Sequence, residues 1–129
     1  MRVLIPGGAG YLGAMLVPQL LAAGHAVTVF DTMWFGSGYL PEDNDNITII
    51  KGDVRDWTKY RVACFGKDAV IYLASISNEA MIQKDGRLAY DVNFAHLASA
   101  ISIPKNLGVK RFIYASSVAA YGDVENATE

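Results

Sequence analysis

The chain is 129 residues long, with 52% apolar residues, 19% charged residues and a net charge of −2. This is enough for one domain with a real core and too little for two, and the charge leaves no electrostatic footprint for nucleic acid or an anionic membrane. Cys64, the single cysteine, excludes an internal disulfide framework and a thiolate metal cage, and reads as a small buried apolar residue in a reducing compartment.

The opening MRVLIP reaches glycine before the apolar core of a signal peptide could form. Val3 to Ile5 is a short apolar run closed by Pro6 and Gly7, as expected of a buried parallel strand. Tyr11 to Ala23 carries Leu12, Met15, Leu16, Leu20 and Leu21 at helical spacing, with Gly24 as the stop and Pro18 as the site of a mild kink. This stretch is too short to span a bilayer, so the chain reads as a soluble, cytoplasmic domain. Ala26 to Asp31 is a second strand, Thr32 to Asn46 a loop, and Ile47 to Asp53 a third strand. Val54 to Phe65 predicts a short helix closed by Gly66, and Ala69 to Ser75 a fourth strand. After a polar connection, Leu88 to Leu107 predicts one long helix bent near Pro104, and Arg111 to Ser117 a fifth strand. No internal repeat or linker divides residues 1–129, so they read as one domain. Strands alternating with helices imply right-handed crossovers and a doubly wound α/β sheet, five parallel strands in the order 3-2-1-4-5. A ligand on such a sheet lies at the carboxyl ends of the strands, by the switch point beside the first.

Gly7, Gly10 and Gly13 stand between the first strand and the first helix. Glycine also closes ordinary turns, but this context is that of a dinucleotide fingerprint. In it Gly7 permits the tight turn, Gly10 lets backbone approach a pyrophosphate, and Gly13 lets the helix pack close to the strands. The helix start at Tyr11 and Leu12 offers N–H groups to phosphates. Asp31 ends the second strand, 18 residues past Gly13. A carboxylate there accepts from both ribose hydroxyls of NAD and repels a 2′-phosphate. No Lys or Arg occurs between Arg2 and Lys51, so the spacing favours NAD over NADP.

The spacing Gly-x-x-Gly-x-x-Gly within GGAGYLGA, the Asp31 that follows, GDVRD at the third strand, VIYLAS at the fourth and RFIYASSVAAYGD at the fifth resemble the extended short-chain dehydrogenase/reductases. Within them the match is to the NAD-dependent nucleotide-sugar epimerase/dehydratase family. Pro6 departs from that family, which usually has threonine there. The resemblance implies an NAD cofactor held by Gly7, Gly10, Tyr11, Leu12, Gly13, Asp31 and Thr32. It implies that Asp53 bonds the adenine amino group with Val54 beside the ring, although Asp53 also reads as a helix N-cap. Leu73, Ala74 and Ser75 then line the nicotinamide-side ribose and the phosphates. Ser77 stands where some epimerases carry a lysine that contacts the cofactor. Asn93 has two readings, a backbone clamp or a solvent-facing residue. Trp34 and Phe35 either cover the adenine or fold back on the core.

Ser117, four residues before Tyr121 of a Tyr-Gly pair, matches the family's catalytic serine or threonine, which holds the oxidisable sugar oxygen; two serines after a strand also suit a turn or cap. Val118 and Ala119 stand where 4,6-dehydratases carry an Asp-Glu pair, and neither exchanges a proton. None of the seven tyrosines has a lysine four residues on, so the family's Tyr-x-x-x-Lys base is not in this sequence. The expectation is the NAD-binding portion of a longer nucleotide-sugar oxidoreductase, its substrate domain absent, inactive by itself, with an exposed edge at the fifth strand and no metal. The resemblance also implies a homodimer of the full-length enzyme through a helix pair that includes the long helix. The alternative is a non-catalytic dinucleotide sensor or scaffold. A steroid- or flavonoid-type reductase, commonly NADP-preferring with a basic residue after the second strand, is disfavoured by Asp31-Thr32-Met33.

Overall fold

Five strands build one parallel sheet in the order β3-β2-β1-β4-β5: β1 Arg2–Pro6, β2 Ala26–Asp31, β3 Ile47–Lys51, β4 Ala69–Tyr72 and β5 Arg111–Tyr114. The computed structural model describes residues 1–117. The register is regular, with Val3 beside Val27 and Ala69, and Val70 beside Phe112. Helices α1 (Tyr11–Ala22), α2 (Trp57–Cys64), α3 (Glu79–Lys84), α4 (Gly86–Tyr90) and α5 (Leu97–Asn106) connect them, and a π turn, Asp91–Ala95, continues α4.

Alternate residues of each strand face opposite layers, and both layers are apolar. On one side Val3, Ile5, Val27 and Val29 pack with Val17 of α1 and with Leu40 of the β2–β3 loop. On the other, Leu4, Phe30, Val70 and Tyr72 pack with Tyr60, Ala63 and Cys64 of α2 and with Ala100 of α5. Burial on both faces explains why β1 reads as a continuous apolar run rather than an alternating one. Cys64 is fully buried, as expected. Tyr60 crosses this core and donates its hydroxyl to the carbonyl of Ala100 at 3.0 Å, tying α2 to α5.

Several boundaries differ from the sequence reading. β3 stops at Lys51, not Asp53: the Gly52 amide still donates to the Asp31 carbonyl at 2.8 Å, and Asp53 then turns the chain, accepting from the Arg55 amide. β4 stops at Tyr72 and β5 at Tyr114; beyond them Leu73 still donates to the Pro6 carbonyl (2.8 Å) and Ala115 to that of Tyr72 (3.1 Å). α2 starts at Trp57 because Asp56 caps it, accepting from the Lys59 amide at 3.1 Å. The polar connection holds a helix of its own, α3, capped by Asn78. The long helix is not continuous: an i to i+5 bond from His96 N–H to the Asp91 carbonyl (3.0 Å) inserts the π turn before α5. Pro18 lies inside α1 without ending it. Among the described residues β5 pairs only with β4 and forms one edge of the sheet, with Ile113 53% exposed.

Candidate cofactor site at the carboxyl ends of the strands

The three glycines have three different geometries. Gly7 adopts φ +79°, and a Cβ there would lie 2.5 Å from the Ala74 amide nitrogen, so the turn off β1 abuts the chain leaving β4. Gly13 is buried, and its Cβ would overlap the carbonyl of Gly8. The close approach expected of Gly13 is therefore between α1 and the glycine loop itself, not between α1 and the strands. Gly10 differs from both: an added Cβ would meet only the Gly7 carbonyl, at 3.3 Å. Its outer side is open. Gly10 is the N-cap of α1 and no side chain caps that end, which leaves the first-turn N–H groups of Tyr11, Leu12 and Gly13 for an outside acceptor. Tyr11 and Leu12 are exposed, at 89% and 58%.

Asp31 closes the site on the β2 side. One carboxylate oxygen accepts from the Ala9 amide of the glycine loop (3.1 Å) and the other from the Met33 amide (2.9 Å). The same carboxylate that the sequence assigns to a ribose thus also pins the loop assigned to the phosphates. Each oxygen retains a lone pair for a further donor. Thr32 follows, half-buried, and Met33 takes φ +59°, the one left-handed non-glycine among the described residues. Trp34 and Phe35 are 51% and 82% exposed, so neither folds back on the core; Met33 and Leu40 pack there instead.

Asp53 is held by Arg55. The guanidinium contacts both carboxylate oxygens, as close as 2.6 Å, and the Arg55 amide donates to one of them at 2.8 Å. Hydrogen bonding to Arg55 keeps the Asp53 carboxyl below its ordinary range. Asp53 is therefore not the N-cap of α2, a role taken by Asp56. Val54 is 6% exposed and packs with Phe30 and Tyr60, so its side chain belongs to the core. Across the sheet, Leu73 and Ala74 are half-buried, Ser75 and Ser77 exposed. Asn93, in the π turn, clamps the next residue on: its amide oxygen accepts from the Ile76 N–H and its amide nitrogen donates to the Ile76 carbonyl, both at 2.8 Å. This is the backbone-clamp reading, and it fixes the course of the chain from Leu73 to Ile76.

Ser117 lies three residues past the end of β5 on exposed chain. Val118, Ala119 and Tyr121 lie outside the described residues. The structure thus brings Gly7, Gly10, Asp31, Asp53, Leu73 and Ala74 to one end of the sheet, the carboxyl end, as the sequence reading required. Sequence reasoning missed the Ala9 amide, the Arg55 lock on Asp53 and a half-buried hydrogen bond between Trp57 and His96. Only Arg55 left a local signal, its place two residues after a carboxylate. Among the described residues no group of His, Cys, Asp and Glu is arranged to hold a metal, and no helix is long and apolar enough to cross a membrane.

A doubly wound parallel sheet with its glycine loop between β1 and α1 defines a Rossmann domain of the short-chain dehydrogenase/reductase type. The model of the 3-beta hydroxysteroid dehydrogenase/isomerase family matches residues 4–129, and the chain belongs to that family. Its relatives include a UDP-glucose 4-epimerase of Lacticaseibacillus casei, 29% identical over 126 residues, 95% of this chain and 37% of the relative. They also include a 3 beta-hydroxysteroid dehydrogenase/Delta 5-->4-isomerase of Mycobacterium tuberculosis, 31% identical over 120 residues, 90% of this chain and 31% of the relative. Among solved structures, the Thermus thermophilus UDP-glucose 4-epimerase complex with NAD superposes with a TM-score of 0.80 at 28% identity, over 91% of this chain and 38% of that one. The chain spans between 31% and 38% of the length of these relatives. The expected resemblance to the epimerase/dehydratase family is borne out. The family is named for steroid enzymes, the class that Asp31-Thr32-Met33 disfavours, and the relatives include both epimerases and steroid dehydrogenases.

Proposed function

We propose that this chain is the NAD-binding portion of an epimerase-type oxidoreductase acting on a nucleotide sugar. The observation that carries the reading is Asp31: a carboxylate at the end of β2, bonded to the glycine loop, with no Lys or Arg between Arg2 and Lys51 to accept a 2′-phosphate. Gly10 supports it, because the space a Cβ would fill is open on the side a pyrophosphate would approach. In this reading Gly7, Gly10 and the first-turn amides of Tyr11, Leu12 and Gly13 hold the phosphates. Asp31 and Thr32 hold the adenosine ribose, Asp53 and the Val54 backbone the adenine, and Leu73, Ala74 and Ser75 the nicotinamide side. NAD, when bound, takes up and returns the hydride. Ser117 positions the sugar oxygen that loses or gains a proton. With no Tyr-x-x-x-Lys in its 129 residues, the chain alone binds NAD weakly and does not turn over.

A second reading, a 3β-hydroxysteroid as the substrate, is favoured by the family match and by the steroid dehydrogenase relative. A non-catalytic dinucleotide sensor would need the glycines and Asp31 but not Ser117. Isothermal titration with NAD and NADP tests the cofactor assignment. NAD binds more tightly, and Asp31→Asn weakens NAD roughly 10- to 100-fold, the loss of charged hydrogen bonds to a ribose, while affecting NADP less. Tighter binding of NADP to the parent chain refutes it. The substrate class is read with a longer protein that contains this chain and a Tyr-x-x-x-Lys motif, by whether it interconverts UDP-glucose and its 4-epimer without net reduction of NAD or oxidises a 3β-hydroxysteroid with NAD; neither conversion supports the sensor.

A further inference from the structure

His96 is a buried polar residue that the cofactor reading does not use. It is 4% exposed and stands as the N-cap of α5, between the π turn and that helix. The Nε1–H of Trp57, the first residue of α2, donates to His96 Nδ1 at 2.7 Å, across 39 residues of sequence. An indole nitrogen can only donate, so Nδ1 must be the bare nitrogen and the proton of the neutral ring is on Nε2. That Nε2 is buried and has no hydrogen-bond partner among the described residues. The ring lies edge-to-face with Tyr60, centroids 6.2 Å apart, and 6.0 Å from the Trp57 ring.

We propose that the Trp57–His96 pair is a pH-operated latch between α2 and the helical run of the π turn and α5, closed while the imidazole is neutral and open once it takes a second proton. The exclusion is stoichiometric. An imidazolium carries hydrogen on both nitrogens and has no acceptor left, so the charged ring and the Trp57 bond cannot coexist. A cation at this position is opposed twice more, by burial and by the positive end of the α5 dipole. The groups that face it are Asp53 and Arg55 from the turn before α2, which form an ion pair with each other, and Tyr60 from α2. Asp91 in the π turn is paired with Arg87, and Tyr72 of β4 lies behind the Tyr60 ring. Burial opposes the imidazolium most, Asp53 favours it and Arg55 opposes it, and the balance lowers the His96 pKa from its ordinary value. Trp57 itself is 58% exposed, so once unbonded its indole can turn to water without opening the core. The latch goes beyond the cofactor reading and does not depend on it.

The chain has two tryptophans and two histidines, which makes the test direct. In a Trp34→Phe background, Trp57 emission followed from pH 8 to pH 5 is expected to show a one-proton transition centred below the ordinary histidine value of about 6.5. His96→Asn places an acceptor where Nδ1 was but cannot titrate, so its emission stays flat. A flat parent profile, or a transition that persists in His96→Asn, overturns the proposal. Trp57→Phe provides a check that does not depend on the His96 variant folding. With the donor gone, the His96 ring, followed by NMR and distinguished from His25 by substitution of the latter, titrates at higher pH than in the parent. An unchanged or lowered midpoint overturns the proposal.

Discussion

Gly7 and Gly10 lie three residues apart in the same loop, and replacing each with alanine separates folding from binding. At Gly7 the backbone is left-handed, φ +79°, which costs an alanine about 1–2 kcal/mol. The added methyl also lies 2.5 to 2.7 Å from Ala74 N, Ala74 Cα and Leu73 C, all of them backbone. Separating β1 from the chain leaving β4 to relieve that overlap adds about 1–3 kcal/mol. Gly7→Ala is therefore expected to lose about 2–5 kcal/mol, a large part of a domain's 5–15 kcal/mol. At Gly10 the backbone is extended, φ −80° and ψ −176°, and the methyl meets one atom at 3.3 Å. Its stability cost stays within about 1 kcal/mol, mostly the poorer cap that alanine makes. The binding effect runs the other way, because that methyl occupies the open side where a pyrophosphate would lie. Urea unfolding reads the first quantity. With a slope of about 1–3 kcal/mol per molar, Gly7→Ala lowers the midpoint by roughly 0.7–5 M and Gly10→Ala by much less. Titration with NAD reads the second, where Gly10→Ala loses affinity while remaining folded. Equal destabilisation by the two variants, or undiminished NAD binding by Gly10→Ala, refutes the assignment of roles.

Removing the clamp with Asn93→Ala leaves the Ile76 N–H and C=O unpaired and costs about 1–3 kcal/mol, with hydrogen exchange at Ile76 rising locally before the global transition; unchanged protection there counts against the clamp. Cys64, whose thiol burial pushes up to about 11, reacts with a disulfide reagent at pH 8 only as fast as the chain unfolds, and prompt labelling of the native protein contradicts its burial. Asp53 is held below its ordinary pKa by Arg55, so its contribution to stability is present above the unfolded value of about 3.9 and is lost as pH falls through the lower folded one. Arg55→Ala moves the Asp53 midpoint upward in a carboxyl NMR titration, and an unmoved midpoint shows that Arg55 is not the cause.

The sequence carried the fold because its signals are local. The apolar run at Val3 to Ile5, closed by Pro6 and Gly7, and the β-branched stretch at Ala26 to Asp31 report strands wherever the chain happens to lie. The alternation of such runs with helical spacing leaves few topologies once crossovers must be right-handed. Asp31 was legible as a candidate site residue for the same reason, being the last residue of a strand whose end is visible in the sequence. Boundaries were less so, because side-chain caps compete for the same turn: Asp53 and Asp56 both suit an N-cap, and only Asp56 is placed to reach the Lys59 amide.

What tertiary structure decided was pairing. The donation of Ala9 to Asp31 across 22 residues, the clamp of Asn93 on Ile76 across 17 and the bond of Trp57 to His96 across 39 join groups whose spacing has no period. Gly7 and Gly13 are alike in sequence, yet one meets the end of β4 and the other its own loop. Residue type and spacing determine which element forms and which face it buries. Which polar atom meets which depends on where the sheet brings distant segments together, and a buried donor or acceptor takes the partner that this packing puts within reach.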